Sequence, residues 1–123
     1  MKIAKWLVRI GSGLLFATGC LHMVGYPLSL PLLAGVQPVG LAAFKTLSLS
    51  FGFTLMILAA VIALVSRLAH AKNILMVTVL IPLVDVALMF HFLGLFMGTI
   101  SVLVAVATLV AGVLMWRDEP GKS

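Results

Sequence analysis

Acidic residues are scarce in this chain of 123 residues: there are three, Asp85, Asp118 and Glu119, and only Asp85 stands within an apolar run. Charged residues of both signs make up 9% of the sequence, against about 25% in soluble globular proteins. That shortage excludes a soluble domain with an ordinary charged surface. Cys20 is the only cysteine, so an internal disulfide, a CxxC redox pair and a thiolate zinc site are excluded as well. The sequence also lacks a Walker loop, GxGxxG, GxSxG and a haem attachment motif, and no H-x-x-x-H or E-x-x-H pair offers metal ligands at helical spacing. No cofactor and no metal site are therefore expected.

What the chain does have is apolar length. Hydrophobic residues reach 63% and mean hydropathy is +1.31, so the bilayer acts as the solvent. A span needs about 20 apolar residues, and four spans use nearly the whole chain. They are drawn at about 7–26, 44–65, 74–93 and 98–116. Pro27 and Pro31 are expected to end the first. A largely apolar loop at 28–43, a basic turn at 66–73 and a short apolar turn at 94–98 join them.

Of the eight basic residues, seven fall in three short segments: Lys2, Lys5 and Arg9, then Arg67 and Lys72, then Arg117 and Lys122. The positive-inside rule places all three segments on the cytoplasmic side. The expected architecture is thus an all-α integral membrane four-helix bundle of two hairpins, with both termini cytoplasmic. Trp6 and Trp116 are expected at the cytoplasmic interface, where indoles are favoured. The net charge of +5 flanks apolar spans and is not interleaved with aromatics on one face, so nucleic acid is not an expected partner. Ala17-Thr18-Gly19-Cys20 resembles a lipoprotein cleavage site, but Ala17 stands where leucine is usual and the chain stays apolar afterwards. Cys20 is read as a packing residue.

Four ionisable residues remain in or beside the spans: His22, Lys45, Asp85 and His91. Counted at 1.5 Å per residue from the cytoplasmic ends, all belong to the outer half of the membrane. A charge in hydrocarbon costs roughly 3 kcal/mol or more, so Asp85 is expected to face the bundle interior, with Lys45 or His22 as partner. Pro82 precedes it in Ile81-Pro82-Leu83-Val84-Asp85 and frees a helical carbonyl near Thr78. His22 shares a stripe with Leu15, Thr18 and Tyr26. Lys45, Ser48 and Gly52 form a row in the second span, and Gly98, Ser101, Ala105, Thr108 and Gly112 one in the fourth. Such rows let helices approach closely in lipid.

Ala43-Phe44-Lys45, the following Gly52 and Ile81-Pro82-Leu83-Val84-Asp85 together resemble segments of the DoxX-like group of small four-helix bacterial membrane proteins. The resemblance covers the middle third of the chain. Where relatives carry an arginine-aspartate pair shortly after the lysine, this chain has Leu47-Ser48-Leu49-Ser50. It implies a four-helix membrane bundle and assigns no catalysis.

Three functions fit these residues. The first is binding of a lipophilic small molecule, a lipid or quinone, by His22, Tyr26, Lys45, Asp85 and Ser101 in the outer half. The second is an isomerase or cyclase in which Asp85 and His22 act as catalytic acid and base. The third is a small proton-coupled exporter working as a dimer; a homodimer or a partner membrane subunit is compatible with any of the three. Membrane lipids are partners in all three.

Overall fold

A computed structural model describes residues 2–29, 34–35, 37–94 and 97–118, with the side chains of 26–29, 93, 97 and 98 excepted. The described residues form four helices and no strand: α1 (Lys2–Ser29), α2 (Pro38–Val65), α3 (Lys72–Leu93) and α4 (Met97–Leu114). The first three are long and apolar enough to cross a membrane, and α4 is a shorter apolar helix over Thr99–Leu114.

The helices run past the limits that hydropathy suggests. Continuing through Pro27, α1 reaches Ser29; a proline in the last turn removes one helical bond, which neighbouring groups in a membrane helix can replace. Pro31 lies outside the described residues. Pro38 does not sit in a loop but opens α2, after Gln37 at φ −61° and ψ 151°, because a proline in the first turn has no N–H to leave unpaired. At its far end α3 closes on Gly94, whose φ of 72° is a left-handed conformation that suits glycine. The hydroxyl of Thr99 donates to the Gly94 carbonyl at 2.9 Å and holds that turn.

Packing centres on α1, which lies along both α2 and α4, while α3 packs against α4 and more sparsely against α2. The buried positions of α1 are Ala4, Val8, Gly11, Leu15 and Thr18, with Ser12 and Gly19 beside them. Those of α3 are Leu75, Val79, Pro82, Val86 and Met89, and those of α4 include Thr99, Val102, Val106, Leu109 and Val113. Alternating steps of three and four residues are the seam of helices crossing at a shallow angle.

Glycines set the helix distances at two places. A Cβ built on Gly19 would lie 2.7 Å from the carbonyl oxygen of Gly52, and one on Gly52 would lie 2.8 Å from that of Gly19. On the other side of α1, a Cβ on Gly112 would meet the Val8 nitrogen at 2.9 Å and one on Gly11 the Leu109 nitrogen at 3.0 Å. Backbone thus approaches backbone, the contact that small residues permit in lipid.

The same contacts show that α1 starts where α4 ends, giving one basic end. Trp116 packs there with 1% of its surface exposed, not at the lipid interface where its indole was expected, while Trp6 is 61% exposed. Asp118 joins the same end to α3. Its Oδ1 accepts the backbone N–H of Lys72 at 3.1 Å, and its Oδ2 lies 4.0 Å from Nδ1 of His70. Ala71, the N-cap of α3, supplies no side-chain cap, so a carboxylate 46 residues downstream satisfies an open N–H of the first turn and complements the helix dipole. That bond ties the chain after α4 to the start of α3.

Candidate functional site

The hydroxyl of Thr18, buried on the α1 seam, donates to the Leu14 carbonyl at 2.8 Å and lies 2.7 Å from the Ser101 hydroxyl of α4. Thr18 has one proton and has given it to Leu14, so Ser101 donates to Thr18. Ser101, expected to contact a ligand, therefore ties α1 to α4. One turn further along α1 comes His22, half-buried. Its ring meets Phe51 of α2 edge-to-face, with centroids 4.8 Å apart and planes inclined at 64°.

Asp85 is half-buried on the flank of the α3 seam, beside Pro82 and Val86. It makes no hydrogen bond or ion pair with any described residue, so neither His22 nor Lys45 is the partner expected from the sequence. Lys45 is exposed on α2 and is itself engaged in a contact. The Tyr26 side chain lies outside the described residues. His91 is exposed near the end of α3, edge-to-face with its neighbour Phe92 at 4.8 Å. Among the described residues, no three His, Cys, Asp or Glu side chains gather to hold a metal ion.

Depth along the helices brings these facts together. At 1.5 Å per residue, Asp85 lies about 20 Å from the start of α3, Gly52 about 20 Å from the end of α2, and Ser101 about 20 Å from the end of α4. Gly52 touches Gly19 and Ser101 touches Thr18, so the carboxylate sits near the level of these α1 contacts. Beyond it α1 and α2 are less buried, while Val86 and Met89 of α3 and Thr99 of α4 remain in the interior. No described side chain of α1 after Gly19 is buried, and none of α2 before Gly52.

The chemical content is a carboxyl group without a partner among the described residues and, about one turn beyond its level, an imidazole held against a phenyl ring. Pro82 adds an acceptor, since it cannot donate to the Thr78 carbonyl; the Thr78 hydroxyl donates back to Ile74 at 2.7 Å and leaves that carbonyl free of it. A carboxyl so placed can accept from a hydroxyl or amine, neutralise a cation, or carry a proton.

No protein-family model, no curated protein and no solved structure matches this chain.

Proposed function

We propose that this chain is a four-span protein of the bacterial inner membrane, with both termini cytoplasmic, that binds a lipophilic small molecule in its outer half. Asp85 engages the polar or cationic group of that molecule, and the apolar surfaces beyond Gly19 and Gly52 hold its body. The observation that carries this reading is the half-buried carboxyl of Asp85, without a partner among the described residues, near the level where α1 meets Gly52 and Ser101. Intramembrane carboxyls generally pair with another group or mark a pathway; here the described protein supplies no pair, and a ligand would.

Orientation follows from the basic end, where Lys2, Lys5, Arg9, Arg67, Lys72 and Arg117 gather with Asp118 as their one described acidic neighbour. Acid–base catalysis by Asp85 and His22 has less support, because the two are not hydrogen-bonded and His22 packs on Phe51.

The test is native mass spectrometry with solvent extraction on gently solubilised protein. Binding predicts one recurrent apolar compound per chain, lost in Asp85→Asn while the variant still inserts. Chemical conversion of that compound by the native chain alone would favour the enzyme instead, and an empty two-fold dimer would favour export.

A further inference from the structure

At the basic end, away from Asp85, a groove of about 470 Å³ opens between the start of α3 and the end of α4, lined by Lys72, Leu114, Met115, Trp116 and Arg117. This volume lies within the roughly 300–1,000 Å³ usual for small-molecule sites. Two features decide what fits. Neither the Lys72 ammonium nor the Arg117 guanidinium has an ion-pair or hydrogen-bond partner among the described residues. The only described acid nearby, Asp118, turns one oxygen to the Lys72 backbone N–H and the other toward His70. Two unpaired cations thus flank one opening.

The rest of the lining is apolar. Leu114 is 70% and Met115 49% exposed, while buried Trp116 backs the groove. A free inorganic anion would use the cations and leave that apolar surface bare. A membrane lipid with an anionic headgroup uses both: its phosphodiester between Lys72 and Arg117, its glycerol and upper acyl chain along Leu114 and Met115. Amine headgroups of zwitterionic lipids would meet two like charges. We propose that this groove is a binding site for one anionic phospholipid of the cytoplasmic leaflet, a basic cleft between helices of the kind that recognises such headgroups. Asp118 is its positioning residue, since its bond to Lys72 fixes the register of Arg117 beside α3.

The test uses the full chain in detergent, titrated with phosphatidylglycerol, phosphatidylcholine or inorganic phosphate and followed by native mass spectrometry. One phosphatidylglycerol per chain is expected to persist, with phosphatidylcholine retained far less and millimolar phosphate failing to displace the lipid. With each basic residue near an anionic headgroup contributing about 1 kcal/mol, the pair Lys72→Gln and Arg117→Gln should weaken retention about thirtyfold. Lys72→Gln keeps the backbone N–H that Asp118 accepts. The control pair Lys2→Gln and Arg9→Gln removes the same charge from the same end, but from exposed residues that do not line the groove, and should change retention by no more than about threefold, because salt screens exposed charges that make no direct contact. Equal losses in the two pairs would show a diffuse surface charge and overturn the site. Equal retention of phosphatidylcholine would overturn the headgroup assignment, and displacement by phosphate would make it a free-anion site. If the first pair does not fold, the lipid selectivity and phosphate competition of the native chain decide alone.

Discussion

Replacing Gly52 by alanine puts one methyl group where the fold has no room. The new Cβ would stand 2.6 Å from the Met23 Cγ and 2.8 Å from the Gly19 carbonyl oxygen. The Met23 side chain can turn away, but the backbone carbonyl moves only if α1 and α2 separate by several tenths of an ångström. Overpacking of this kind costs about 1–3 kcal/mol, and the upper half of that range applies because a whole helix has to shift. Gly19→Ala meets the Gly52 carbonyl at 2.7 Å and should cost about as much. Since one separation relieves both clashes, the double variant should be less destabilised than the sum of the two, a coupling of at least about 0.5 kcal/mol. Gly13 is the internal control, because a Cβ there meets nothing within 4 Å; Gly13→Ala should be neutral or stabilising by up to about 1 kcal/mol through helix propensity. Reversible unfolding in mixed detergent micelles, followed by circular dichroism, measures all four. The reasoning fails if Gly52→Ala is as harmless as Gly13→Ala, or if the two costs add in full.

Ser101→Ala should lower stability by about 0.6 kcal/mol, the average for a hydrogen bond between membrane helices, as measured by the same unfolding titration; a loss above about 2 kcal/mol would mean that Ser101 holds more than Thr18. Asp118→Ala should cost about 1 kcal/mol through loss of the α3 cap, whereas Asp118→Asn, still a good cap, should retain most of it; equal losses would assign the effect to charge instead. For orientation, single cysteines placed in a Cys20→Ser background report directly. Arg67→Cys should react with an impermeant maleimide only in opened vesicles and Ala34→Cys in intact spheroplasts, and the reverse pattern would invert the topology.

Much of this packing can be read from residue size, and little of it from hydropathy. In a helix that is apolar on every side, periodicity of hydrophobicity does not distinguish the lipid face from the buried one, but small residues do. The row Ser101, Ala105, Gly112 in α4 and Gly52 in α2 is where close contacts occur, and the stripe Leu15, Thr18, His22 is the inner seam of α1. Gly11, on the α1 seam, and Gly19, beside Thr18, were not singled out, although two small residues eight apart in an apolar helix were the available signal. Helix ends were less legible, because Pro27 and Pro38 are compatible with both a turn and a terminal helical position. The Asp118 cap was not legible at all, since nothing local in a sequence links residues 72 and 118.

Around Asp85, the sequence singles out an intramembrane acid but not its surroundings. A lone acid after a proline in an apolar helix stands out, whereas its partner depends on how four helices are rotated. Ser101 was expected at the ligand and proved to be bonded to Thr18; Lys45 and His22, expected as ion-pair partners, are both turned to other contacts.

The most direct measurement is native mass spectrometry of the gently solubilised chain beside its Asp85→Asn variant, at matched expression and with the extract identified. The account predicts one apolar compound bearing a donor or cationic group, retained one per chain by the native protein and lost by a variant that still folds. Equal retention by the two proteins, or none by either, would contradict it.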